Sequence, residues 1–348
     1  MKILVSALET SSNIHLKALK EHLNDDIKLY GIFDKSLGNP NYDITQLAIM
    51  GFVDAFKKLP FFLNLKKEMV ELARDADKIL LMDSSGFNLP LAKSIRKKYP
   101  EKEIIYYILP QAWVWKKGRI QKLEKICDKL CSILPFEEAL YAKKEKISYV
   151  GHPLLDEISS YKKEISSSNT IAFMPGSRKT EITNHMPVFR QLVKKFDNKK
   201  LILIVPEKFD QDYIKKTYGD ISAFTLSTHA HQTLQEAEFA FICSGTATLE
   251  ASLIGTPFVL SYIAKSFDYF IGSKIVKISY IGLANIFFDK LGKEIIHKEL
   301  LQDAVSVEAL YDEYLHMDRE KFFQNSQLLR NYLENGSSKN VAQIIQNN

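Results

Sequence analysis

Two residue types that could have simplified this chain are scarce: it has 3 cysteines and 2 tryptophans in 348 residues. Cys127, Cys131 and Cys243 are too few and too odd in number for a disulfide framework, and they fit a reducing compartment. Cys127 and Cys131 are spaced as i and i+4 on an expected helix, with no further ligands at useful spacing, so no metal site is expected there. No apolar run reaches the ~18–20 residues a membrane span requires. The opening Met-Lys-Ile-Leu-Val-Ser-Ala is too short for a secretory signal, lacks a cleavage pattern, and reads as a first strand. Neither a Walker loop nor a Gly-x-Gly-x-x-Gly fingerprint occurs, which argues against ATP hydrolysis and dinucleotide redox chemistry. Trp113 and Trp115 stand beside Lys116, Lys117 and Arg119, but no RNA-binding fingerprint accompanies them, so no nucleic-acid partner is expected.

What is present is an ordinary globular composition, 46% apolar and 26% charged, at a length that suits two domains. The net charge of +5 is uneven: residues 1–165 hold 27 Lys and Arg against 22 Asp and Glu, so the whole excess lies there. Short apolar runs alternate with helical patterns. Strands are expected over Lys2–Leu8, Ile27–Phe33, Lys78–Asp83, Glu103–Leu109 and Cys131–Pro135, with helices over Ile14–Leu23, Leu89–Lys98 and Arg119–Leu130. The serine-rich stretch Tyr161–Asn169 reads as a linker. The alternation then restarts with strands Thr170–Met174, Lys200–Val205, Phe239–Cys243 and Pro257–Tyr262 and helices Glu181–Phe196 and Thr246–Ile254; from Val305 onward the pattern is helical. The fold class is therefore α/β, with two Rossmann-like domains of parallel βαβ units facing across a cleft. The expected divisions are 1–165, 166–320, and terminal helices over 321–348 that pack back on the first domain or exchange in a dimer.

Two strand-to-helix junctions in the second half could hold a diphosphate. The first is Pro175-Gly176-Ser177-Arg178: Gly176 permits close approach, Ser177 and the first helical amides can donate to phosphate, and Arg178 can fork onto it. The second is Ser244-Gly245-Thr246-Ala247-Thr248-Leu249-Glu250, with Glu250 placed to accept from sugar or ribose hydroxyls. Each alone is also an ordinary N-capping solution; two together favour a nucleotide sugar. Asp75-Ala76-Asp77 and Asp210-Gln211-Asp212 read as solvated charges. Residues 50–67 combine Phe52, Phe56, Phe61 and Phe62 with four lysines, which suits either an anionic membrane interface that admits acyl chains or a core-packed helix with lysines outside.

Read in order, these segments resemble the lipid-A-disaccharide synthase family over nearly the whole chain. The markers are Glu9-Thr10-Ser11, Met50-Gly51-Phe52-Val53, Met82-Asp83 with Phe87-Asn88, Pro110-Gln111-Ala112-Trp113-Val114-Trp115 and Leu134-Pro135-Phe136-Glu137. Val150-Gly151-His152-Pro153, the two phosphate-type junctions, Leu283-Ala284-Asn285 and Glu299-Leu300-Leu301-Gln302 complete the set. Departures occur at Leu8, Ser12 and Asn13, at Ser85-Gly86 where the family has Pro-Asp, and at Ala284 and Ile263.

The resemblance implies a GT-B glycosyltransferase that needs no metal or other cofactor. It implies inverting transfer of 2,3-diacylglucosamine from its UDP conjugate to the 6-hydroxyl of 2,3-diacylglucosamine 1-phosphate, at the cytoplasmic face of the inner membrane, by a monomer or a domain-exchanged homodimer. Asp83 then matches the family's functionally important aspartate and is the candidate base; on local grounds alone it reads as a turn or cap residue. Glu9 is the second candidate, for acceptor hydroxyls or for the base. Asn285 and Gln302 are candidate donor contacts, and Asn285 reads equally as a turn residue. Rival readings are another GT-B enzyme acting on UDP-N-acetylglucosamine, either the lipid II-forming transferase or the 2-epimerase, or a non-catalytic nucleotide- or membrane-binding relative.

Overall fold

The computed structural model describes every residue except 46–58, 113–117, 166, 244, 264–278 and 348, together with all but the side chain of Leu59. Among the site candidates, Phe52, Phe56 and Ser244 lie outside the described residues. The chain divides into two compact units, Met1–Glu157 with Leu333–Asn348, and Ile158–Tyr332.

The first unit is built on seven parallel strands: β1 (Lys2–Ala7), β2 (Lys28–Phe33), β3 (Tyr42–Asp43), β4 (Lys78–Met82), β5 (Glu103–Tyr107), β6 (Lys129–Ser132) and β7 (Ile147–Tyr149). Their order is β3-β2-β1-β4-β5-β6-β7. The continuous apolar runs are explained by burial on both faces, as parallel sheets require. Alternate residues separate cleanly: Leu4, Ile79, Leu81, Ile104 and Tyr106 enter one core, while Ile3, Val5, Leu80, Met82, Ile105 and Tyr107 enter the other. The first core is closed by α2 (Leu59–Leu72), α3 (Ser85–Lys98) and α4 (Gly118–Ile126) through Leu65, Met69, Leu91, Ile95 and Leu123. The second is closed by α1 (Thr10–Lys20) through Leu16 and Leu19 and by the last helix of the chain through Val341, Ala342 and Ile345. A short helix, α5 (Pro153–Glu157), ends the first pass through this unit.

The second unit has six parallel strands in the order β10-β9-β8-β11-β12-β13. They are β8 (Thr170–Met174), β9 (Lys200–Ile204), β10 (Thr225–Ser227), β11 (Phe239–Cys243), β12 (Phe258–Tyr262) and β13 (Glu299–Leu301). The helices are α6 (Lys179–Leu192), α7 (Gln211–Tyr218), α8 (Ala230–Glu236), α9 (Thr246–Ile254), α10 (Leu283–Lys290), α11 (Val307–His316) and α12 (Arg319–Leu333), and α13 (Ser337–Gln346) returns to the first unit. Phe173 of β8 anchors this core, stacked on Phe241 at 5.2 Å and edge-on to Phe189 of α6 at 5.4 Å.

Several expected boundaries move. The helix expected over Arg119–Leu130 stops at Ile126, and β6 begins at Lys129. The Asp128 amide donates to Ile104 O at 2.9 Å and its carboxylate accepts from the Ile104 amide at 2.8 Å, so pairing with β5 starts there. Cys131 is therefore a strand residue and does not share a helix with Cys127; burial pushes both thiols up to about 12. The helix expected from Leu89 begins instead at Ser85, and α1 begins at Thr10. Asp210 caps α7 by accepting from the Tyr213 amide at 2.7 Å, and Asp77 accepts from the Lys2 amide at 2.6 Å.

Candidate functional site

In an open parallel sheet, ligands collect beyond the carboxyl ends of the strands where the strand order reverses. Here the reversals fall between β1 and β4 in the first unit and between β8 and β11 in the second. Glu9 and Asp83 lie at the first point, and Gly176–Arg178 and Gly245–Glu250 at the second. Ala7 and Met82 are register partners, so Glu9 and Asp83 leave adjacent strand ends.

Asp83 sits on a strained backbone. Its φ is 49° and that of Ser84 is 38°, both in the left-handed region, where a non-glycine residue costs about 1–3 kcal/mol. Surrounding bonds hold it there. The Asp83 amide donates to Tyr107 O at 3.1 Å, and its carbonyl accepts from Tyr106 Oη at 2.6 Å and Asn88 Nδ2 at 3.0 Å. Asn88 is itself fixed, donating to Met82 O at 2.9 Å and accepting from Ser6 Oγ at 2.7 Å. The cap position of α3 falls on Ser84, whose hydroxyl donates to Glu9 Oε1 at 3.2 Å. Burial raises the pKa of the Asp83 carboxyl above its ordinary value; the Ser84 amide bonded to it opposes this, the Glu9 charge reinforces it, and His15 pulls it down. A half-buried carboxylate of raised basicity on a rigid, strained strand end is suited to accept a proton.

The second switch point differs from expectation in its details. Gly176 has φ 104°, and a Cβ there would meet Glu181 Oε2 at 2.6 Å. The Glu181 carboxylate is already in the cradle: it accepts from the Ser177 and Arg178 amides, both at 3.1 Å, and from Arg178 Nη1 at 2.7 Å. Those two amides are thus occupied by the protein's own carboxylate, and the group facing solvent is the Arg178 side chain, 80% exposed. At the other junction, Gly245 (φ 149°) and Thr246 are exposed, and a Cβ on Gly245 would meet nothing within 4 Å. Thr248 is fully buried and its hydroxyl donates to Gly245 O at 2.8 Å; this is a helix-start bond, in place of the expected ligand contact. Glu250 is half-buried, 3.5 Å from His231 Nε2.

Asn285 also takes an internal role. Its Nδ2 donates to His297 O at 2.9 Å and Glu299 Oε1 at 2.8 Å, and its Oδ1 accepts from the Ile296 and His297 amides at 3.1 and 3.3 Å. Two donors and two acceptor sites exhaust a carboxamide, so the expected donor contact gives way to a clamp between α10 and β13. Glu299 completes the clamp by accepting from the Ile281 and Gly282 amides. Gln302 has φ 53° at the end of β13, and its Nε2 is buried with no partner among the described residues. Phe61 and Phe62 are half-buried against the first-unit core, with Phe62 6.1 Å from Phe87 of α3.

A family model described as lipid-A-disaccharide synthetase matches residues 3–347. A lipid-A-disaccharide synthase of Helicobacter pylori (strain G27) is 51% identical, the match covering 98% of this chain and 96% of that protein. The synthase of Campylobacter jejuni subsp. jejuni serotype O:2 is 45% identical with 98% of each covered. The chain belongs to the lipid-A-disaccharide synthase family. By that membership it is a glycosyltransferase, a hexosyltransferase of lipid A biosynthesis. Solved structures agree on the GT-B fold alone. S. aureus MnaA with UDP has TM-score 0.64 at 13% identity over 99% of this chain and 96% of that one. Acinetobacter baumannii MurG has TM-score 0.58 at 13% identity over 99% of each.

Three positioning groups of this family member have roles that the sequence motifs do not reveal: Glu181, Asn88 and Glu299. Asn88 and Glu299 stand in the quoted motifs, but nothing in spacing tells that one pins the Asp83 peptide and the other the start of α10. Glu181 one turn inside α6 was legible as a capping acid. No described helix is long and apolar enough to cross a membrane.

Proposed function

We propose that the two switch points divide one inverting sugar transfer between them. The donor is UDP-2,3-diacylglucosamine and the acceptor is 2,3-diacylglucosamine 1-phosphate. Asp83 takes the proton of the acceptor 6-hydroxyl as that oxygen bonds to the donor anomeric carbon. The bond from that carbon to the UDP oxygen breaks, and UDP leaves with the electron pair. A β-1,6-linked disaccharide 1-phosphate results. Arg178 stabilises the charge growing on UDP, and Gly245, Thr246 and the start of α9 receive the remaining phosphate oxygens. Glu250 and Gln302 bind donor hydroxyls or the base. Glu9 orders Ser84 and binds acceptor hydroxyls. The observation that carries this reading is the Asp83 carboxyl, strained and half-buried at the carboxyl end of β4, in a chain that matches the family end to end. The test is disaccharide formation in detergent with EDTA present. Product from the wild type supports the reading, and a folded, UDP-binding protein without product overturns it.

The chain works on the inner face of the inner membrane as a peripheral protein. On α2, Leu63 is 45% exposed beside exposed Lys67, an apolar and cationic pairing suited to an anionic interface. Leu63→Asp should weaken flotation with anionic liposomes severalfold, and unchanged flotation removes α2 from the interface. The acting species is a monomer or a homodimer that exchanges its last helix, the element that completes the first unit.

A further inference from the structure

We propose that Arg119, with Ser85 and the first turn of α3, forms the subsite for the phosphate of the acceptor. The inference rests on the transfer reaction above and adds to it a residue that recognises one end of one substrate.

Arg119 is the second residue of α4, and its Nη1 donates to Ser85 Oγ at 3.4 Å. That contact is long and uses one of five guanidinium donors. Among the described residues Arg119 is half-buried and makes no ion pair, although two carboxylates, Glu9 and Asp83, stand at the same switch point. A partly desolvated cation left without a counter-ion suits an anion that arrives with the ligand. Ser85 lies two positions after Asp83, so the cation and the base flank one short turn of chain. The acceptor has the matching layout, with a hydroxyl to deprotonate on one side of a single hexose ring and a phosphate on the other. The guanidinium fork fits a phosphomonoester better than a hydroxyl.

The surroundings favour an anion at Ser85 over one at Asp83. The segment Ser84-Ser85-Gly86 carries hydroxyls and no carboxylate. The Ser84 hydroxyl is committed to Glu9, but the Ser85 hydroxyl faces only Arg119 among the described bonds. The first bonds within α3 run from the Phe87 and Asn88 amides to Ser84 O, so the Ser85 and Gly86 amides precede them. There is also room. A Cβ on Gly86 or on Gly118, the residues beside Ser85 and Arg119, would meet nothing within 4 Å among the described residues.

The experiment compares kcat/KM for 2,3-diacylglucosamine 1-phosphate and for the same sugar lacking the phosphate, in wild type, Arg119→Ala and Arg119→Lys. The wild type should prefer the phosphorylated acceptor by roughly 10- to 100-fold, as one charged hydrogen-bonded contact supplies. Arg119→Ala should lose most of that preference while KM for the UDP-sugar stays the same, and Arg119→Lys should keep part of it. Equal slowing of both acceptors in Arg119→Ala, or a wild type that does not distinguish them, overturns the subsite and leaves the reaction standing. A wild type that makes no disaccharide from either acceptor overturns the reaction itself and the subsite with it.

Discussion

The two units share one plan and arm it with groups of opposite charge. Each has a parallel sheet whose strand order reverses once, and each places its polar groups beyond the strand ends at that reversal. In the first unit those groups are carboxylates, Glu9 and Asp83, one of them carried on left-handed backbone. In the second they are a glycine, hydroxyls and an exposed arginine, with the acid Glu181 turned inward to brace the loop. The topology decides where a ligand sits. The side chains decide whether the place presents negative or positive charge.

The sharpest way to probe this contrast is to remove the solvent-facing cation of the second unit. Arg178→Ala should lower kcat by about 100-fold, the usual cost of losing a donor to developing charge, with little change in thermal stability. A large loss of stability would show that the guanidinium serves mainly to hold Glu181. Next comes the residue that was expected at the ligand and proved to be a clamp. Asn285→Ala leaves the Ile296 and His297 amides and Glu299 short of partners, and should destabilise the second unit by roughly 2–4 kcal/mol in urea titration. UDP affinity of the folded fraction should stay within a few fold. The smallest effect concerns the acidic side. The proposed role of Asp83 as base requires its ionised form, so the rate should fall with acid through a pKa above the ordinary aspartate value. Burial is the larger cause of that rise and Glu9 a lesser one; Glu9→Gln should therefore move the acid limb of the pH profile downward, by less than about one unit.

The alternation of apolar runs was enough to read parallel sheets, because strands buried on both faces leave no polar residues inside the run. The long central strands and the strand-end motifs were legible for that reason. Edge strands were not: β3, β7, β10 and β13 have two or three residues each, too few for any periodicity. Helix starts at strand ends were also misplaced, since α3 follows left-handed residues held by Tyr106, which is distant in sequence, and by Asn88, which is itself fixed by the distant Ser6. At the site, residue types were legible and their commitments were not. Thr248, Asn285 and the Ser177 amide look like free donors in a string of letters. Each is occupied: Thr248 and the Ser177 amide by partners within one helical turn, Gly245 O and the Glu181 carboxylate, and Asn285 by Ile296, His297 and Glu299, which the fold brings near. Asp83 keeps most of its carboxyl available because the bonds from Tyr106 and Asn88 and to Tyr107 go to its backbone, and the Ser84 amide is the group that reaches the carboxyl among the described residues.

The most direct test of that availability is the rate of disaccharide formation by Asp83→Asn at saturating substrates, set beside UDP binding by the same protein. The account predicts a loss in kcat of about 100-fold or more, the share a positioned base contributes, with UDP affinity unchanged. A variant that retains kcat within about threefold would contradict it, and would move the base to another group at the first switch point.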